Sequence, residues 1–452
     1  MADTRYWEAD ATAVAQVDTF TPANVEVDDV FTLTATGTTG TTVAIAYTAE
    51  AATVADVTAG LVALWNASSS TLCTGITAAD DTTALTLTAD TAGTPFSVAA
   101  TAVDGGGTDD DTQTLTRAAT TPSDGPNNYD NTDNWSDAAI PITGDTVIFD
   151  GRTTEDCLYG MDQTGVSLLD MLIRKTYTGT IGSASLTGGN EGPLILEATG
   201  TIAIDGSASL YLQCGNNEAD ADIPLMIINT TGTVELSSQK NASEGNIGEF
   251  TTVRVLQAKT LFSVAGDADT SDTGAESGTY VKNLYIMPTR NSRELVTAII
   301  GDQCYDQQNT AKTDIWMSEG KVTCYSEFGT LIKADGLFTV GGTGYDMGAT
   351  DDTIGTIIQS NGTFTWKPSA VTASVATGAA AAPVIGLADI YGGTFDASAM
   401  LRTGTTAPTI TILNTYPNTK INIDNGYANF SVGTVNKYGG TIQTTPGQVL
   451  TI

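Results

Sequence analysis

Apolar and polar residues alternate over short stretches along most of the chain, and this period of two predicts strands. Near the N-terminus it appears in Val25-Glu26-Val27, Phe31-Thr32-Leu33-Thr34, Val43-Ala44-Ile45-Ala46-Tyr47, Ala84-Leu85-Thr86-Leu87-Thr88 and Phe96-Ser97-Val98-Ala99. One stretch has another period. Val54, Val57, Leu61, Leu64 and Trp65 fall on one face of a helix, with Thr53 as N-cap and Asp56 as an acidic variant of the capping box. Residues 1–117 therefore read as a small α+β anchoring domain, a single helix packed on an antiparallel sheet. Residues 118–150, turn-rich and poor in apolar side chains, read as a linker and lead-in segment. Within them a Gly144-Asp145 turn opens the apolar strand Thr146-Val147-Ile148-Phe149, and Trp135 is placed to cover the open end of the sheet that follows.

Residues 151–452 carry an irregular repeat in which a Gly, usually followed by Thr, opens a short alternating strand. Copies stand at Gly179-Thr180, Gly200-Thr201, Gly232-Thr233, Gly362-Thr363, Gly393-Thr394 and Gly440-Thr441, with looser ones at Gly320 and Gly336. Between Gly320 and Gly440 the turns at Gly336, Gly362, Gly393 and Gly426 divide 120 residues into five intervals with a mean of 24. That spacing is close to one coil of a solenoid, and glycine supplies the positive φ of a sharp turn into the next face. The expected fold class is mainly β: the α+β domain followed by a β-solenoid (parallel β-helix) or another β-rich elongated body. An antiparallel sandwich with the same turn chemistry is the alternative.

Composition supports the strands, since Thr and Val suit a pleated surface. Charge narrows the partners. The chain has 52 acidic and 18 basic residues, a formal net charge of −34. Phosphate backbones need clustered Lys and Arg, yet only Arg5 and Arg117 are basic before Arg152, so no nucleic-acid partner is expected. Cys73, Cys157, Cys214, Cys304 and Cys324 are widely spaced and odd in number, which suits small buried hydrophobes better than disulfides or zinc. Met1 to Trp7 lacks the basic and apolar regions of a secretory signal, and no apolar run reaches membrane-spanning length. Synthesis in the cytoplasm is expected, with no membrane partner.

Arg5-Tyr6-Trp7, the strand–helix–strand module ending in Leu85 to Phe96, and Asn134-Trp135-Ser136 with Pro141 and Gly144 to Asp150 resemble a family of phage and prophage virion structural proteins. The resemblance covers roughly residues 1–160, and the downstream Gly-Thr repeats are similar to those of phage fibres and spikes. It implies a place on the virion and transfers no catalytic residue.

Chemistry has few places to reside. The chain has no His, which removes the commonest acid–base catalyst and His-liganded metal centres. Carboxylates remain, and paired Asp or Glu suffice for glycoside hydrolysis. Asp351-Asp352 and Glu218, Asp220 and Asp222 are the clusters to inspect, each equally suited to a solvated loop. Calcium is the metal to consider, at Asp267 to Asp272 or at Asp109 to Asp111. Ser271 and Asp272 stand where an EF-hand loop needs an acidic or amide ligand and then Gly. The expectation is a non-enzymatic virion structural protein with no cofactor, as a capsid decoration or fibre-like component. It assembles as a homo-oligomer, a trimer favoured, beside capsid or tail proteins. The alternative is a receptor-binding tail fibre or tailspike that binds or cleaves host glycans.

Overall fold

A computed structural model describes residues 2–37, 40–105, 112–184, 192–214, 222–238, 249–262, 280–288, 297–300, 313–324, 328–340, 353–366, 384–398, 409–423 and 431–444. The described chain is mainly β, with an α+β module near the N-terminus and long parallel ladders after it. None of its helices is long and apolar enough to cross a membrane.

The module has two small antiparallel sheets where one was expected. One runs in the order Ile76–Asp80, Leu85–Ala89, Val17–Ala23, Thr114–Thr121, and the other Thr42–Thr48, Val30–Thr36, Ser97–Val103. Helix Val54–Ala67 packs on them, burying Val57, Leu61 and Trp65 at i, i+4 and i+8. The Trp65 indole N–H donates to the Ile76 carbonyl at 3.0 Å. Leu64, expected on the same face, is 43% exposed, because the buried face is centred on Val57, Leu61 and Trp65 and widens toward Thr58, away from Leu64. The cap forms as read: Thr53 Oγ1 accepts from the Asp56 N–H at 3.3 Å. Asp56 reaches further back than a capping box does, accepting from the N–H groups of Glu50 and Ala51 and from the Tyr47 hydroxyl. Burial pushes its carboxyl up, but these donors outweigh that and hold it below the ordinary range.

Val25-Glu26-Val27 alternates like a strand but is a turn. Asn24 and Asp28 take positive φ (53° and 76°), and the Asp29 carboxylate accepts from the Glu26 N–H at 2.7 Å. Local Asx chemistry overrides a three-residue period.

The first residues of the chain do not belong to the module. Thr4–Tyr6 pairs in parallel with Thr146–Phe149, which pairs in turn with Asp170–Ile173. Trp7 is fully buried and meets Trp135 edge to face at 5.1 Å; Phe149, Tyr129 and Tyr177 complete the cluster. Trp135 thus covers the first rung of the sheet, as its position suggested, with Trp7 beside it. The stretch read as linker is a packed joint. Asn134 is buried, accepts from the Ala11 N–H and donates to the Gly125 and Asn128 carbonyls, so its amide ties the backbone together beside the buried Tyr129 and Trp135. Asp145 closes the joint, accepting from the N–H groups of Asp3 and Ile142 and from Arg5. Burial raises its carboxyl, and these three donors, with the positive charge of Arg5, together hold it below the usual range.

From Thr146 on, every described ladder is parallel, and from Leu210 on most strands pair with the strand two further along. Two ladders therefore run side by side with a common apolar interior, where Phe338, Phe364 and Phe395 stack at 5.9 and 5.2 Å. The turn glycines divide into two kinds. Gly320, Gly336, Gly362, Gly393 and Gly440 have positive φ, as the repeat predicted. Gly200 and Gly232 do not: a Cβ on them would lie 2.2 Å from the Leu169 carbonyl oxygen and 2.1 Å from that of Ala208. They are glycine because the neighbouring rung approaches too closely for a side chain. Between Gly393 and Gly440 the left-handed residue is Asn418 (φ 71°), next to Thr419 at the glycine register; Gly426 lies outside the described residues.

Buried donors at the strand ends serve carbonyls of these turns. Lys333 Nζ donates to the Asn361 carbonyl at 2.6 Å, Gln359 Nε2 to those of Gly392 and Thr394, and Thr415 Oγ1 to that of Gly439. Without them the turn carbonyls would face an apolar interior unsatisfied. Burial lowers the Lys333 ammonium to about 8 against the opposing pull of Asp335.

Candidate assembly face

In a parallel ladder the same register position recurs at every rung, so a row of outward side chains can be followed from rung to rung. The ladder beginning at Thr146–Phe149 has one such row at its centre. It passes from Leu172 through Ala203 and Ile227 to Arg254. It continues through Tyr285 and Trp316 to Ile332 and Ile358. Ile332 is 39% exposed and the other apolar members are half-buried. Tyr285 and Trp316 stack at 4.7 Å with 10° between their planes, and the Arg254 guanidinium lies 6.0 Å from the Tyr285 ring centre. The row contains no carboxylate as far as Ile358.

Farther along, polarity moves sideways. The row becomes Asp389, Asn414 and Asn436, while Tyr391, Tyr416 and Tyr438 stack at the neighbouring outward position at 4.3 and 5.1 Å. Each amide donates to the acceptor one rung below, Asn414 to Asp389 and Asn436 to Asn414. The same device recurs where Asn229 donates to Asp205 and Asn422 to Asp396. An amide over a carboxylate satisfies both, where a second carboxylate would repel.

The other ladder presents a different surface. Its outward row runs Thr323, Thr339, Thr365, Asp396, Asn422 and Gln443, with exposed Lys321 and Lys420 in the adjacent row. Earlier in that row Glu235 lies beside Tyr211, and desolvation pushes its carboxyl up to about 7. Flanking the apolar row of the first ladder, Asp170 and Asp314 are engaged by backbone, each accepting from the N–H of a Gly-Thr threonine, Thr201 or Thr330.

Most candidate acidic clusters fall elsewhere. Glu218, Asp220, Asp351, Asp352, Asp109 to Asp111 and Asp267 to Asp272 lie outside the described residues, and Asp222 is placed only as a strand residue paired with Glu249. Among the described residues no group of His, Cys, Asp and Glu is arranged to hold a metal. Cys73, Cys157, Cys214 and Cys324 are buried and unbridged, and Cys304 is outside the described residues. Burial pushes the Cys157 thiol well above its ordinary range.

The apolar row was not legible in the sequence. Its members are single outward residues on separate strands, and only the register brings them together. Compared with protein-family models, curated proteins and solved structures, the chain matches none.

Proposed function

We propose that this chain is a non-enzymatic structural component of the outside of a bacteriophage particle, acting as a homo-oligomer, with its body a β-solenoid of two-stranded coils. The observation that carries the architectural part is the pairing of most strands after Leu210 with the strand two further along, always in parallel. One positive-φ glycine stands at each of five turns of that ladder, which suits a coil that repeats with loops of unequal length. The virion part rests on the resemblance of the N-terminal motifs and on how the polar groups are used. Described carboxylates such as Asp170, Asp205, Asp314 and Asp396 hold one rung to the next. Antibodies against the purified chain, applied to particles released from the host, are expected to label the particle exterior. Label confined to host cells would overturn the virion reading.

Glycan cleavage has one observation in its favour. The Glu235 carboxyl, protonated up to about pH 7, has the property of a general acid. Such chemistry needs a second carboxyl roughly 5–10 Å away across a groove, whereas the ionisable neighbour in the ladder is Tyr211. The structural reading expects host capsule and lipopolysaccharide to stay intact in a reducing-end assay. Oligosaccharide release abolished by Glu235→Gln would establish the enzyme.

A further inference from the structure

At the rungs of Trp316, Ile332 and Ile358 the outer surfaces of the two ladders differ, although both are built from the same repeating strands: one carries this apolar row, the other Thr323, Thr339 and Thr365. On a chain with net charge −34, a central row with no carboxylate from Leu172 to Ile358 is a local exception. We propose that the face centred on Tyr285, Trp316 and Ile332 is where a second copy of this chain docks. The proposal deepens the oligomeric part of the function above and does not depend on its virion part.

Three arguments select a second copy. The first is area. From Leu172 to Ile358 the row takes seven steps, and at about 4.8 Å per step it is roughly 34 Å long. With an outward row on either side, each about 6.6 Å away, the face measures roughly 700 Å². A standard stable interface uses about 800 Å² per partner. The second is anatomy. The central row is apolar and aromatic, and its flanks hold polar residues such as Thr201, Asn283 and Thr330, which is the core-and-rim pattern of a specific interface. The third is charge. Two chains of this net charge repel over most of their surfaces, so they approach most closely where carboxylates are sparse, and the central row of this face has none. Its carboxylates stand in the flanking rows, Asp170, Asp205 and Asp314, each fixed by a hydrogen bond within the chain.

Contact across this face would bury Trp316 and Ile332, and a charge placed there would have to be desolvated without a partner. The test is sedimentation velocity on the full chain at micromolar concentration. Three proteins are compared: the wild type, the double variant Trp316→Glu/Ile332→Glu, and the control Thr323→Glu/Thr339→Glu on the opposite face. Wild type and control are expected to sediment as the same oligomer, with the Trp316/Ile332 variant shifted at least tenfold toward monomer. Circular dichroism identifies any variant that fails to fold, and Ile332→Ser, a milder change, is then expected to weaken association in the same direction. A wild-type oligomer unaffected by Trp316→Glu/Ile332→Glu and by Ile332→Ser overturns this face while leaving the oligomer intact. A wild type that remains monomeric overturns both, whereas the virion reading is decided separately by particle labelling.

Discussion

The module and the body solve the same problem, burying apolar side chains without stranding backbone groups, in opposite ways. In the module, strands pair in antiparallel fashion and a capped helix seals the interior with Leu61 and Trp65. In the body, strands distant in sequence pair in parallel, and polar side chains are spent on the joins: Asn over Asp, Asp onto Thr N–H, Lys333 and Gln359 into the turns. A fault in the module should stay there, whereas a fault in the body should reach the rungs on either side.

The sharpest break in this contrast is at the joint. Trp135→Ala removes a buried ring packed against Trp7, Tyr129 and Phe149, and should cost about 3–5 kcal/mol. Hydrogen exchange read peptide by peptide should show faster exchange in Thr4–Tyr6, Thr146–Phe149 and Asp170–Ile173, with the module's helix little changed. Protection lost in the helix instead would mean that the chain start belongs to the module after all. Leu61→Ala is the converse, costing about 2–5 kcal/mol and confined to the module; spread into the parallel ladders would contradict the division.

Lys333 tests the body's turns through pH. Its ammonium titrates near 8 in the folded chain, because burial disfavours the charge, while in the unfolded chain it keeps its proton to about 10.5. Between these values the unfolded state binds more protons, so the contribution of this group to stability rises with pH, by at most about 1.4 kcal/mol per pH unit. Urea midpoints from pH 8 to 10 should rise more steeply for the wild type than for Lys333→Met; parallel curves would place the amine in water. The smallest effect is local to the module. Thr53→Ala removes the helix cap and should cost about 1 kcal/mol, read as a lowered midpoint for the helix signal alone.

What the sequence made legible follows from range. The helix and its cap are written in adjacent residues, and all five positive-φ turn glycines of the later ladder, Gly320, Gly336, Gly362, Gly393 and Gly440, stood in the Gly repeat. The pairing of Thr4–Tyr6 with Thr146–Phe149 spans the whole module, and no local pattern announces it. Gly200 and Gly232 look like turn glycines in sequence but are set by a neighbouring rung. The outward row through Trp316 was hidden for the same reason: alternation says that a residue faces out, and only the register says what stands above and below it.

Register is therefore the claim on which the account depends, and cysteine pairs report it directly. Thr323 and Thr339 are register partners on adjacent rungs and point to the same outer face. Neighbouring parallel strands lie about 4.8 Å apart, within the Cα separation of roughly 4.4–6.8 Å that a disulfide spans. The double variant Thr323→Cys/Thr339→Cys should form an intramolecular disulfide under mild oxidation, seen by mass spectrometry of the unreduced digest. Thr323→Cys/Phe338→Cys, one residue out of register and on opposite faces, should not. A crosslink in the second pair and none in the first would contradict the parallel register and with it the two faces of the body.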